Sequence, residues 1–359
     1  MGDPETLNGK EPVVQPEPAF LPISVVVISY NEEKYIRDCL DSLARQDYPD
    51  ERYEIVVVDS SIDSTPEIAA SYKKVRLLRA PKGYSIQKNR GIEAARFNIV
   101  AFTDADCLIP SGWLRVINAA FKNPRIAAIG GNAYPPPGTS RFGRWSACVG
   151  HPAGGAIGFD ANVTRGPEGV SFVPGCNSCF RKKALLDAGG FGPEFFDGGE
   201  DVDMSRRLRK KGYYLDYIPE LTVFHKPRPN LSRYLLWNVT VGVTKYNLQR
   251  PSLLRILVLP GFLLSSALLL AALIVLSKSV SFFLLFSGSL WIAFLIGLLF
   301  AAKPYRLLIQ RRKRIGVSWL AVGTAVPFLI ALRQVGISLG QLKKRRALRK
   351  SAEKSRVSP

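Results

Sequence analysis

Asp104-Ala105-Asp106 closes an apolar run, 98–103, that has the look of a β-strand. Two carboxylates one residue apart at a strand end can turn their oxygens onto a hard divalent cation, Mg²⁺ or Mn²⁺, and such an ion can bridge a diphosphate. Acidic pairs at strand ends also arise without a metal, so the triplet takes its meaning from its company. That company is Ser29-Tyr30-Asn31-Glu32-Glu33, Asp59-Ser60-Ser61-Ile62-Asp63-Ser64-Thr65, Lys88-Asn89-Arg90-Gly91 and Gly199-Glu200-Asp201. Each block has a plainer reading. Glu32 and Glu33 suit a helix N-terminus through its dipole, and Glu200, Asp201 and Asp203 stand ahead of Arg206, Arg207, Arg209, Lys210 and Lys211 as in an ordinary solvated helix. Cys176-Asn177-Ser178-Cys179 is a Cys-x-x-Cys pair with no second pair or nearby His to complete a zinc site. With Cys39, Cys107 and Cys148 it forms an odd set without framework spacing, as buried thiols in a reducing compartment would.

The elements that must position these residues alternate. Strands are expected at 23–29, 54–58, 75–79 and 98–103, with amphipathic stretches between them, which is the pattern of a mainly parallel sheet covered by helices. Ile36, Cys39, Leu40 and Leu43 recur at spacings of three and four, and Ser64-Thr65-Pro66-Glu67 carries a hydroxyl cap, an early Pro and a carboxylate three residues on. In such sheets ligands gather at the carboxyl ends of the strands, where Ser29, Asp59 and Asp104 fall. Residues 134–169 are rich in Gly and Pro, with Trp145 and His151 as the few large features, and read as a long lid or binding loop. A charged helix at 200–211 and short strands near Tyr213 and Leu221 follow.

The 359 residues carry a formal net charge of +20. From residue 301 onward fifteen Lys or Arg face one acid, Glu353, interleaved with apolar runs, a pattern suited to lipid headgroups and unlike a nucleic-acid groove. Residues 1–20 are rich in Pro and Glu and lack the basic start and apolar centre of a signal peptide, so they read as a disordered leader. Residues 234–248, within an expected interface segment 229–252, are mildly amphipathic. The stretches 256–276 and 280–302 lack formal charge and are long enough to span a bilayer. A third run, 315–332, contains Pro327 and stops at Arg333. The six basic residues of 303–314 and the basic tail 343–359 place both on the cytoplasmic side, which makes the third run re-entrant or interfacial and the catalytic domain cytoplasmic on a multi-pass plasma-membrane protein.

From about residue 23 to 225 the chain resembles the family 2 glycosyltransferases. The resemblance rests on the blocks above and, in order, on Pro174-Gly175-Cys176-Asn177-Ser178-Cys179-Phe180-Arg181, Gly189-Gly190-Phe191, Gly212-Tyr213 and Val223-Phe224-His225. It implies an α/β fold of GT-A type, Rossmann-like with a mainly parallel sheet, followed by C-terminal transmembrane helices. It implies a UDP- or GDP-linked sugar donor held by Ser29, Tyr30, Asn31, Glu32, Asp59, Ser61, Lys88, Asn89, Asp104 and Ala105, with Tyr30, Glu32 and Asp59 on the base and ribose. Asp104, Asp106 and His225 would hold Mn²⁺ or Mg²⁺, although His225 also reads as a strand-end residue beside Lys226. Asp201, with Glu200, would serve as the base for single displacement with inversion. Gly175, Asn177, Ser178 and Trp237 would meet the acceptor. Two positions depart from the family pattern: Ser60 stands where Gly is common, and Lys88 where Arg is usual, keeping the charge without the bidentate fork.

Processive synthases of this family carry Gln-x-x-Arg-Trp after the base; here Arg233-Tyr234-Leu235-Leu236-Trp237 lacks the Gln and the spacing, which favours single addition. A base is needed by a sugar hydroxyl and not by an anionic polyprenyl phosphate, so Asp201 points to a lipid-linked saccharide as acceptor, with the polyprenyl phosphate as alternative. The rivals are a non-catalytic sugar-nucleotide-binding membrane scaffold and a nucleotidyltransferase. Release of nucleoside diphosphate instead of pyrophosphate separates the latter.

Overall fold

The computed structural model describes residues 20–149, 155–196, 198–228, 230–249, 253, 303–323 and 325–357. The expected spans 256–276 and 280–302, all but the last residue of the expected leader, and His151 lie outside these residues.

The alternation in the sequence is realised as β1 (Ile23–Ser29), α1 (Ile36–Ala44), β2 (Tyr53–Asp59), α2 (Thr65–Ala70), β3 (Val75–Arg79), α3 (Tyr84–Ala94) and β4 (Ile99–Asp104). Every residue of β1 and β2 is buried, because helices cover both faces of the sheet. On one face Val25 and Val27 pack with Ile36, Leu40 and Leu43 of α1; on the other, Val26 and Phe102 pack with Ile92 of α3. The chain continues through β5 (Cys107–Leu108), α4 (Trp113–Phe121), β6 (Ile126–Tyr134), α5 (Arg141–Ala147), β7 (Arg165–Gly166), β8 (Gly169–Val170), β9 (Asn177–Arg181), α6 (Lys182–Asp187), α7 (Glu200–Lys210) and β10 (Tyr214–His225).

The strand order is β3-β2-β1-β4-β9-β6-β10-β8-β7, with β5 paired to β10. Strands β1 to β4 are parallel, and β9 runs antiparallel between β4 and β6. Register then sets the site: Ser29 pairs with Asp59, Ile28 with Asp104, and Asp59 with Arg79, so four strands end on one rim. The short antiparallel pair of Cys107 with His225 folds the end of β10 back onto that rim.

Three expectations are corrected. The two short strands near Tyr213 and Leu221 are one strand, β10, whose register against β6 shifts between Tyr217 and Thr222. Pro219 lies in that shift, where its missing N–H costs no ladder bond, and its carbonyl accepts from Asn132 Nδ2 at 2.9 Å. The 134–169 stretch is not a bare loop. It holds α5, capped by Ser140 Oγ accepting from the N–H of Gly143, two short 3₁₀ turns, and the Asp160–Arg311 ion pair at 2.7 Å that ties it to the C-terminal part. The third apolar run does not stop at Arg333. Gly316 turns the chain at φ 71° after α9 (Lys303–Ile315), and α10 (Trp319–Gly323) leads into α11 (Ala325–Val357). Pro327 falls in the first turn of α11, where no N–H is needed, so the helix starts there instead of breaking.

The helix expected over 234–248 is observed as α8 (Leu231–Gln249) and lies against α11. Glycines permit the contact: a Cβ on Gly340 would stand 1.9 Å from the carbonyl oxygen of Val239, and one on Gly242 would stand 2.1 Å from that of Ile337. Among the described residues, the stretch Trp319–Arg349 is long and apolar enough to cross a bilayer.

Candidate active site

The loops after β1 and β2 are joined by hydrogen bonds. The N–H of Asn31 donates to Ser61 Oγ at 2.7 Å, that of Glu32 to Thr65 Oγ1 at 2.9 Å, and that of Ile62 to Asn31 Oδ1 at 3.0 Å. Asn31 has φ 57°, a conformation that asparagine tolerates better than most residues. Gln87 Nε2 donates to the carbonyls of Ser29 and Val58, fastening the ends of β1 and β2 to α3. Asp59 is fully buried and accepts from Ser29 Oγ at 2.7 Å, Ser61 Oγ at 2.6 Å and Arg79. Its carboxylate therefore fixes the floor of the pocket and presents no free oxygen. Ser60 accommodates its turn by donating to the carbonyl of Ala80 at 2.9 Å. Tyr30 forms the rim, with the ammonium of Lys82 3.8 Å from its ring centre. These loops enclose a cavity of about 520 Å³ that reaches Glu32, Asp104, Ala105, Asp106, His225 and Arg228.

At the inner end His225 Nε2 lies 3.6 Å from Asp104 Oδ2 and 3.3 Å from Asp106 Oδ1. Its Nδ1 lies 3.1 Å from the carbonyl oxygen of Lys226, a partner for an Nδ1–H that leaves the Nε2 lone pair facing the two carboxylates. The two carboxylates flank one imidazole, with Cys176 Sγ beside Asp104 and His225 and Cys107 Sγ beside Asp106 and His225, all within 4.8 Å in each group; the oxygen and imidazole donors suit Mn²⁺ or Mg²⁺. Burial favours a neutral ring, but Asp106 and Asp104 outweigh it and lift His225 above its ordinary value. A cation bound among the three would displace that proton. Glu32 is pushed up to about 8 by burial and then by the charge of Asp106.

Behind this cluster the left-handed Gly199, φ 85°, starts α7 with Glu200 and Asp201 in its first turn. Asp201 Oδ2 accepts from the N–H of Gly175 at 2.9 Å and Oδ1 from the N–H of Val202 at 2.8 Å. Burial, then the neighbouring Glu200, pushes its carboxyl up to about 6 against the opposing charge of Lys88. A carboxyl so placed accepts a proton near neutral pH. It faces a second cavity, of about 350 Å³, shared by Gly175, Trp237 and Lys245. The two cavities meet at Tyr84, Asp104, His225, Arg228 and Trp237.

Four expected site residues are held by contacts within the fold. Lys88 is buried and bonded to Glu200 at 2.6 Å and to the carbonyl of Gly175 at 3.3 Å, so it neutralises Glu200 instead of reaching out to a phosphate. Asn89 is closed in a reciprocal pair with the backbone of Phe191, at 2.8 and 2.7 Å. Asn177 is wholly buried in β9, accepting from Trp113 Nε1 and donating to the carbonyls of Asn132 and Leu221. Ser178 is buried beside it between β4 and β6. Neither lines the two cavities. Gly175 does lie at the site, where an added Cβ would stand 3.0 Å from Lys88 Nζ and 3.1 Å from Glu200 Oε1.

Arg79, Tyr84, Arg228, Lys245 and Arg333 reach the site or its supports without having stood out in the sequence. Arg79 alone carried a signal, since it ends an apolar run as Asp59 does. Cys176 and Cys179 are buried, and burial raises both thiols well above their ordinary value; Cys176 Sγ also lies within 4.8 Å of ligand atoms of Asp104 and His225, a neighbour the sequence spacing did not show.

Residues 24–188 match the family model described as Glycosyl transferase family 2. Glycosyltransferase AglE of Haloferax volcanii is 29% identical over 259 residues, covering 67% of this chain and 81% of AglE. Poly-beta-1,6-N-acetyl-D-glucosamine synthase of Staphylococcus epidermidis is 28% identical over 203 residues, 55% of this chain and 48% of the synthase, so the chain spans about half of that relative. Among solved structures, mannosyltransferase PcManGT from Pyrobaculum calidifontis, in complex with GDP-Man and Mn²⁺, aligns with a TM-score of 0.53 at 21% identity over 94% of this chain and 90% of its own. That likeness is one of fold. The ordered motifs, the sheet that gathers their ends on one rim and the family match agree: residues 24–188 form a region similar to the family 2 glycosyltransferases, built on a GT-A fold.

Proposed function

We propose that this protein is a membrane-bound inverting glycosyltransferase that moves one sugar from a UDP- or GDP-linked donor to a hydroxyl of a lipid-linked saccharide. The observation that carries the proposal is the meeting of two cavities at Asp104 and His225, with Asp201 in the second. The nucleotide would occupy the first, against Tyr30, Asn31 and Glu32, and the acceptor the second. Asp104, Asp106 and His225 would hold Mn²⁺ or Mg²⁺, whose chemistry is to stabilise the charge developing on the leaving nucleoside diphosphate. Asp201 takes the proton of the attacking hydroxyl as its oxygen bonds to the sugar carbon and the bond to the diphosphate breaks. The N–H groups of Gly175 and Val202 hold that carboxylate in place, and Lys88 offsets the charge of Glu200 behind it.

The acceptor cavity is walled by α8 through Tyr234, Trp237, Val241 and Leu248 and by Arg333 of α11, whose stretch is apolar enough to cross a bilayer. That wall supports a lipid-linked acceptor entering from the membrane. The basic α9 and tail support a plasma-membrane location with the catalytic domain and the C-terminus in the cytoplasm. Cleavage of a C-terminal tag by protease added outside intact cells would overturn this topology. For the chemistry, Asp201→Asn is expected to abolish transfer while sugar-nucleotide binding persists. Normal turnover by that variant would remove the base and restore a polyprenyl phosphate, which needs none, as acceptor.

A further inference from the structure

The acceptor cavity holds two cations that the transfer chemistry does not use. Arg333 and Lys245 both line it. Arg333 Nη1 donates to the carbonyl of Val149 at 2.8 Å, while its Nε is closed off from solvent with no hydrogen-bond partner among the described residues. Lys245 has no ion pair or hydrogen bond among the described residues, and neither does Arg333 have a carboxylate partner there. Burial, reinforced by the charge of Arg333, pushes Lys245 below its ordinary value, so the two feel one another. Two like charges half-buried in one cavity without a counter-charge are costly.

An anion that enters the cavity would relieve this cost. The donor's diphosphate is not that anion. Its place is beside Asp104 and His225, at the junction marked by Trp237, and Lys245 stands eight residues farther along α8, about 12 Å of helix rise. Nor is a nucleophilic phosphate favoured there, because the ionised Asp201 in the same cavity repels an anion poised for attack and serves a neutral hydroxyl. A group carrying both a hydroxyl for Asp201 and an anion for the two cations satisfies the whole cavity.

We propose that Arg333 and Lys245 form a subsite for the phosphate or diphosphate through which the acceptor saccharide is joined to its lipid. This rests on the glycosyltransferase reading given above and adds the chemical class of the acceptor's linkage. The guanidinium brings a fixed charge to the cavity wall for phosphate oxygens, and the ammonium of Lys245 adds a second.

The test uses the full chain in neutral detergent with EDTA, so that no metal-held phosphate contributes, and dodecyl phosphate as probe, followed by calorimetry. Dodecyl phosphate is expected to bind, and Arg333→Gln and Lys245→Gln each to weaken it about tenfold or more, the scale of one charge-assisted hydrogen bond. Arg333→Lys should recover part of the loss. Inorganic phosphate should bind at least about tenfold more weakly than the alkyl phosphate, because the apolar wall adds nothing to it. Equal binding by wild type and both Gln variants overturns the subsite. Inorganic phosphate binding as tightly as the alkyl ester overturns the lipid-linked source. Binding to phosphatidylglycerol vesicles that depends on both cations and is not displaced by dodecyl phosphate assigns them to bulk headgroups and also overturns it. Sugar-nucleotide binding with Mn²⁺, measured on the same wild-type preparation, separates the two claims: its absence strikes the glycosyltransferase reading, whereas its presence with unaltered dodecyl phosphate binding in the variants strikes only the subsite.

Discussion

Asp201 and Lys88 show how burial decides what a charged side chain does. To serve as the proposed base Asp201 must be ionised, and its carboxyl is pushed up to about 6. Acidification protonates it, so kcat/KM should fall as pH drops through about 6, by about tenfold per unit below that point. A pH–rate profile checks this; an acid limb near the ordinary aspartate value of about 4 would contradict the assigned environment. Lys88 and Glu200 form an ion pair with both side chains nearly out of solvent. Lys88→Met should therefore destabilise the fold by about 3–5 kcal/mol, since Glu200 is left buried and unpaired, and the double variant with Glu200→Leu should recover much of the loss. Thermal denaturation of the two variants decides it. The sequence marks Lys88 as a cation near a phosphate site, and nothing local shows that its partner lies 112 residues away.

At the scale of elements, strand ends and helix starts do the positioning. The register aligns Ser29 with Asp59, and Ile28 with Asp104, at the carboxyl ends of the apolar runs, and this part of the site was legible in the sequence. The alternating runs also gave the parallel half of the sheet correctly. The rest was not legible for identifiable reasons. Strand β9 enters antiparallel between β4 and β6, and only that pairing buries Asn177 and Ser178. The strands expected near Tyr213 and Leu221 join into one β10 because the opposing β6 accommodates a shifted register between Tyr217 and Thr222. The contact of α8 with α11 depends on Gly336, Gly340 and Gly242, whose role appears only where two backbones meet. Gly340→Val, with a Cβ 1.9 Å from the carbonyl of Val239 in the unrelaxed structure, should cost about 1–3 kcal/mol and raise KM for the acceptor more than that for the donor, because it displaces the wall carrying Trp237. Equal effects on both substrates would show that α8 does not wall the acceptor site.

In the whole molecule the sheet domain packs against an apolar, basic C-terminal part, with one cavity lined by both. A third apolar cluster joins them, formed by Ala147 and Ile157 from the lid region with Leu308, Val317 and Val326. The +20 net charge is weighted toward the C-terminal part, and the acidic Asp104, Asp106 and Asp201 line the two cavities. The central claim is that Asp104, Asp106 and His225 gather one divalent cation and the diphosphate of a sugar nucleotide. Thermal stability of the full chain with a panel of sugar nucleotides, with Mn²⁺ or with EDTA, tests it directly. One nucleotide class should raise Tm only with the metal, by the equivalent of about 2.7 kcal/mol at a hundredfold excess over Kd, and Asp106→Asn should remove the shift. A shift of the same size in EDTA, or one kept by that variant, would contradict the account.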